Sequence, residues 1–290
     1  MYSQIDKNKR KTWLVMAMFF VIIAIIAWLV RLATGEDAPM FWILGAGFIY
    51  ALIQYFLAGK MMLAMSGAKE ISKKDNPRFY NTVENLTIAT GLPMPKVYII
   101  NDSSPNAFAT GRDPEHAAVA ATTGLIKMMT DRELTGVMAH EMAHVGNYDI
   151  RVSLIAFALT VMISAMSDLI LRIGFRVADD DDAGPFAWGI MLLAAILAPI
   201  AATLVQLAVS RKREYLADAT AALTTRDPEG LASALEKLQG DKTPLKHINS
   251  SMANMYINNP IRKGFIGKMF STHPPIEDRI KILRGMINKF

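Results

Sequence analysis

Cysteine is absent from the chain. Disulfides, thiolate-ligated zinc and a cysteine nucleophile are therefore excluded, and histidine and carboxylate side chains remain as the strong metal ligands. Histidine is scarce, five in 290 residues. Internal repeats and low-complexity tracts are also missing. An acidic excess is missing too, since the formal net charge is +5. A basic balance suits nucleic acid or anionic lipid, and the placement of the bases decides between them. Lys and Arg flank long apolar runs, which points to a lipid bilayer and away from nucleic acid. Hydrophobic residues make up 52% of the chain, high for a soluble protein.

That excess is concentrated in four runs. Residues 13–30 carry no charge and meet the length of a spanning helix. Residues 35–39 do not resemble a cleavage site, so this run is expected to be retained rather than removed as a signal peptide. Residues 40–58 form a second run, with Gln54 its most polar member. Residues 152–171 form a third, weakened by Asp168, and residues 186–209 a fourth. The last two are expected to span as a pair, the other reading being a hairpin buried or only partly inserted.

Basic residues set the orientation. Lys7, Lys9, Arg10 and Lys11 precede the first run, Lys60, Lys69, Lys73 and Lys74 follow the second, Arg151 precedes the third, and Arg211, Lys212 and Arg213 follow the fourth. The opposite side holds Arg31, Arg172 and Arg176 beside Glu36, Asp37 and the acidic run 179–182. Both termini and the hydrophilic bulk are therefore expected in the cytoplasm. The acidic run lacks the spaced ligands and glycine of a calcium loop and reads as a solvated turn. The domain reading is an N-terminal membrane hairpin (1–59), a first soluble part (60–150), a second membrane hairpin (151–210) and a second soluble part (211–290).

Within the soluble parts, helical spacing of Phe79, Val83 and Leu86 predicts a helix over 71–89, with a break at Pro77 and an end at Gly91-Leu92-Pro93. Short β-rich segments at Lys96–Ile100, 106–111 and Ala117–Thr122 predict a small sheet. A long helix should begin near Asp131, capped by Thr130 or Asp131. Further helices are expected over 211–223, 228–239 and 276–287.

On that long helix stands His140-Glu141-Met142-Ala143-His144. Positions i and i+4 share a helix face, so both imidazoles can address one ion, and Glu141 is placed to act as base on water activated there. Leu134, Val137, Met138, Met142 and Val145 supply the apolar face that buries the helix. A catalytic zinc needs a third protein ligand and an open position. Glu214, in Glu214-Tyr215-Leu216-Ala217-Asp218, is the best-placed residue, and Asp218 one turn later can hold a ligating imidazole N–H. The competing reading of Glu214 and Asp218 is a surface ion-pair face with Arg211 and Arg213. Two runs separate the His pair from Glu214, so an even number of crossings, or none, returns both to one side. Asn147 and Asp149 read as the polar end of the His helix, the other reading being groups that support the metal ligands, and His116 and His247 read as surface residues.

With these residues in view, the chain resembles the HtpX family of membrane zinc proteases, relatives of the CAAX prenyl protease. The resemblance runs over nearly the whole chain. It is carried by the N-terminal hairpin, Asn106-Ala107-Phe108-Ala109-Thr110-Gly111, the His140 to His144 pentapeptide, the Glu214 to Asp218 segment, and Ser271-Thr272-His273-Pro274-Pro275 with Arg279. It implies a mainly α membrane protein with four transmembrane helices and a cytoplasmic α+β zincin-like (gluzincin) protease domain. It implies one Zn2+ held by His140, His144 and Glu214, with Glu141 as general base. Asn106, Ala107, Phe108 and Ala109 would line a substrate-binding edge strand. His273 and Arg279 would stabilise an oxyanion, the plainer reading being a helix cap and a salt bridge. It further implies polypeptide substrates, chiefly misfolded membrane proteins, and a place in bacterial inner-membrane quality control under stress, with self-association open. A narrow processing protease and a non-catalytic zinc scaffold are the rival readings.

Overall fold

The computed structural model describes residues 2–178, 211–241 and 274–287, with the single positions 189, 243 and 257. The expected fourth run (186–209, apart from Gly189), the acidic run 179–182, His247 and His273 lie outside the described residues.

Two long helices open the chain, α1 (Tyr2–Thr34) and α2 (Ala38–Met65), joined by a turn at Gly35. Both are long and apolar enough to cross a membrane, over Ile5–Trp28 and Met40–Met65. Their outer faces expose Trp13, Val21, Trp28, Phe41, Trp42 and Phe48. An apolar surface of that extent is at home only against lipid or a partner. Their inner faces pack Val15, Phe19, Ile22, Ile23, Ile26 and Ala51 against Ile155, Leu159 and Ile163.

A four-stranded mixed sheet follows: β1 (Ala68–Glu70), β2 (Lys96–Ile100), β3 (Ala107–Gly111) and β4 (Ala117–Thr122), in the order β1-β2-β4-β3. β2 and β4 are parallel, and the two outer pairings are antiparallel. The three-residue β1 has a polar sequence with no period-two signal and was not expected. Strands β3 and β4 are buried throughout, because both faces of the sheet are covered. One face packs with α3 (Pro77–Thr90) and α5 (Asp131–Gly146) around Phe79, Val97, Val119, Leu134 and Met138. The other packs Phe108, Ala118 and Ala120 on Ala58, Met62 and Leu63 of α2 and on Leu154 and Phe157. The many alanines keep the strands thin enough to fit between these layers.

The helix expected over 71–89 starts only at Pro77. Asn76 accepts a hydrogen bond from the Phe79 N–H, and Pro77 holds the first helical position. The preceding residues form a turn in which Asp75 accepts from Ser72. A short helix, α4 (Thr123–Met128), leads into α5. Then α6 (Asp149–Ala178) leaves α5 at 78°, and its first half is buried on α1, α2 and the sheet. Among the described residues α6 does not qualify alone as an apolar span, and it passes only as a bent pair with α5. The soluble part is completed by α7 (Arg211–Thr225), α8 (Pro228–Gly240) and α9 (Ile276–Arg284), the last shorter than expected because the chain turns at Gly285.

Candidate metal centre

Helix α5 carries half the site, and two devices hold it. At its N-terminus a complete capping box forms: Thr130 accepts from the Glu133 N–H, and the Glu133 carboxylate accepts from the Thr130 N–H. The same carboxylate accepts from Ser233 Oγ and Lys237 Nζ on α8, each at 2.6 Å. One turn on, Gly136 lets α5 touch the α8 backbone, since a Cβ there would sit 2.7 Å from the Leu231 nitrogen.

His140 Nε2 and His144 Nε2 lie 3.2 Å apart. Glu214, from the start of α7, brings its carboxylate oxygens to 3.6 Å from the first and 3.7 Å from the second. One donor atom from each residue falls within 4.8 Å of the others. Behind the rings, His140 Nδ1 is 2.9 Å from Asp218 Oδ1, and His144 Nδ1 is 3.0 Å from Asp149 Oδ2. A carboxylate accepts only, so each Nδ1 carries the hydrogen. Both Nε2 lone pairs then converge with a carboxylate on one point. Three donors so placed repel one another unless a proton or a metal ion lies between them. Two imidazoles and one carboxylate are the donor set of a catalytic zinc site with an open position, so these residues fit the ion.

Charge around the site follows the same logic. Burial opposes charge on His140, but hydrogen bonding to Asp218 and Glu214 outweighs it and pushes the metal-free pKa up to about 9. Burial also acts against ionised Asp218, yet the Arg279 guanidinium overcomes it and holds the carboxyl below its usual value. Arg279 is fully buried and grips Asp218 through two bonds of 2.7 and 2.8 Å, with Nη1 3.7 Å from Glu214. That Nη1 makes no hydrogen bond among the described residues. Glu141 is buried, and burial pushes its carboxyl up against the pull of the two histidines. The Ala109 main-chain N–H beside it pulls the other way, toward the charged form.

This proximity ties the site to β3, which among the described residues is an edge strand paired with β4. Thr122 N–H donates to the Asn106 carbonyl, so by alternation Ala107 and Ala109 turn their main-chain groups to the open side. There the Ala107 carbonyl accepts from the Ile257 N–H at 3.1 Å, and the Ala107 N–H is taken by the Asn106 side chain. Phe108 points the other way, into the layer against the membrane helices.

The structure thus brings together His140, Glu141, His144, Glu214, Asp218, Arg279 and Ala109. His116 is exposed and paired with Asp113, as a surface residue. Of the two readings of Asp149, the structure takes the one in which it supports a ligand: it is buried and bonded to a site histidine. The chain bends at Tyr148, whose φ is 60°, and that bend turns Asp149 toward His144. A single Asp after Asn-Tyr carries no sequence signal of such a bend.

The model of peptidase family M48 matches residues 73–287 of this chain. The protease HtpX homolog of Tropheryma whipplei is 54% identical over 294 residues, covering 100% of both chains. That of Streptococcus gordonii is 42% identical over 304 residues, covering 99% of this chain and 100% of its own. Among solved structures, that of S. mikatae Ste24p is similar with a TM-score of 0.54 at 19% identity, covering 98% of this chain and 67% of that one. At that identity the likeness speaks for the fold alone.

Proposed function

The chain belongs to peptidase family M48, among the HtpX protease homologues, which makes it a membrane-bound metalloprotease, and we propose that it is a zinc endopeptidase cleaving misfolded or damaged membrane proteins at the cytoplasmic face of the bilayer. The observation that carries the site assignment is the convergence of His140 Nε2, His144 Nε2 and a Glu214 oxygen on one point, with both Nδ1 atoms held by carboxylates.

In this reading one zinc per chain sits among those three residues, and when bound it supplies Lewis acidity and makes water a better nucleophile near neutral pH. Glu141 accepts the proton of the attacking water at its carboxylate and delivers it to the leaving amine. Asp218 and Asp149 hold the imidazole rings in one tautomer and orientation. Arg279 acts through Asp218 and Glu214, and its Nη1 edge is the part left to face a developing oxyanion, together with His273. An extended substrate pairs its backbone with the open side of β3 near Ala109. Such pairing reads main-chain atoms and so tolerates many sequences. That tolerance favours a quality-control protease over a narrow processing enzyme. Among the described residues no fourth His or carboxylate joins the three, which disfavours a structural zinc scaffold.

Four membrane crossings complete the reading, two by α1 and α2 and two within 152–209, with both termini and the metal centre on the cytoplasmic side of a bacterial inner membrane. The decisive experiment is Glu141→Ala in the full-length protein in detergent or liposomes. Zinc content should stay at the wild-type level while the rate on an unfolded membrane substrate falls by about 10²–10⁴, the range for loss of a positioned general base. Cleavage at the wild-type rate would remove Glu141 from the mechanism.

A further inference from the structure

Asn8 lies just before an apolar run of a membrane helix, where a polar side chain ordinarily faces water or headgroups. Here it is 2% exposed. Its Nδ2 donates to the Asn147 carbonyl at 2.8 Å and to Asp149 Oδ1 at 2.7 Å, across about 140 residues of chain. Asp149 Oδ1 also accepts from Arg213 Nη1 at 3.3 Å. With that oxygen held from two sides, the carboxylate cannot swing, and Oδ2 is presented to His144 Nδ1 at 3.0 Å. A second contact pins the same corner: Lys9 Nζ stands 5.0 Å above the Tyr148 ring, within cation–π range.

The two site histidines are not equally secured. His140 is buried behind Asp218, which is itself gripped by Arg279. The His144 side chain is 16% exposed and has Asp149 as its carboxylate partner. The orientation of His144 therefore depends on what holds Asp149. From these contacts we infer that Asn8 is a positioning residue of the metal centre. By fixing Asp149 it fixes His144, and the first membrane helix becomes a working part of a site otherwise built from the soluble domain. The inference rests on the assignment of His140, His144 and Glu214 as ligands. It reaches beyond the segment that matches the peptidase family, which begins at residue 73.

The test uses the metal-stripped full-length protein in detergent. Zinc affinity is measured by competition with a chromophoric chelator, and ligand geometry by the visible spectrum of the cobalt(II) form. Asn8→Asp is nearly isosteric but sets a carboxylate against Asp149. It should weaken zinc by about tenfold or more, the usual consequence of losing a residue that orients a ligand, and should alter the cobalt spectrum. Combining it with Asp149→Asn removes the clash of two carboxylates and restores one donor–acceptor contact between positions 8 and 149, though not the bond to the Asn147 carbonyl, and should recover part of the affinity. A change that merely loosened the helix packing would not be repaired in this way. Asn8→Ala serves if the isosteric variant does not fold, and should weaken zinc several-fold. Wild-type affinity with an unchanged cobalt spectrum in whichever single variant folds, or a double variant weaker than both singles, overturns the inference. His144→Ala is the separate control. If it binds zinc as tightly as wild type, the ligand assignment itself has failed, whatever Asn8 does.

Discussion

At the scale of single residues, the site is a matter of which nitrogen carries a hydrogen. Asp218 and Asp149 each take an Nδ1–H, which turns two ordinary imidazoles into a pair of convergent acceptors. Asp218 does this while buried beside Arg279, which is itself fully buried. A buried ion pair of this kind adds little net stability, but removing one partner leaves a charge stranded in the interior. Asp218→Ala should therefore lower stability by about 3–5 kcal/mol and zinc affinity by about 10–100-fold. Thermal unfolding of the metal-free protein and chelator competition read the two effects separately. Of these residues, His140, His144 and Glu214 are legible in the sequence, because helical spacing and a carboxylate at the right side of an apolar run are local features. Asp218 is legible by the same spacing. Asp149 is legible only as one of two readings, since its role depends on the bend at Tyr148 and on a partner at the far end of the chain.

At the scale of elements, α5 is held by its own first turn. Glu133 caps the helix and reaches across to Ser233 and Lys237 on α8. Burial works against its charge, but these hydrogen bonds win and bring its pKa from 4.5 down to about 2. A carboxyl lowered in the folded state contributes stability that is present above its unfolded pKa and lost as pH falls through its folded pKa. Between pH 4.5 and about 2, then, the protein should lose stability in part through Glu133. Glu133→Gln should be less stable near neutral pH and show a shallower fall in that window, as measured by denaturant unfolding at several pH values. An equally steep fall in the variant would assign the acid sensitivity to other groups. The α5 helix and its Thr130 cap were readable because a capping box is a local pattern. The start of α3 was misplaced by six residues because 71–76 has helix-compatible residues, and the Asn76-Pro77 pair overrides them. The three residues of β1 had no pattern to read: pairing with β2 alone makes them a strand.

At the scale of the whole molecule, the sheet is a septum. Helices α3 and α5 cover one face, and the end of α2 with the start of α6 covers the other. The candidate metal centre consequently lies close to the long apolar helices, with α6 leaving at 78° directly after the His helix. The apolar runs were legible from composition, and α1 and α2 follow them. Composition left open whether the third run is buried by lipid or by protein, and the first half of α6 is buried by protein. The absence of cysteine offers a clean test of topology by single-cysteine labelling. Lys74→Cys and Glu229→Cys should react with an impermeant reagent only from the cytoplasmic side, and Asp37→Cys and Asp181→Cys only from the other. Labelling of the Asp181 position from the cytoplasmic side would mean that the second hairpin does not cross.

All three scales meet in one claim, that ligands from α5 and α7 hold a single metal ion between them. Zinc titration of the metal-stripped full-length protein against a competing chelator tests it most directly, with Glu214→Ala beside the wild type. The account predicts one tightly held ion per chain, and at least a tenfold weaker affinity once Glu214 is removed, on the order expected for a direct ligand. An undiminished affinity in Glu214→Ala would contradict it.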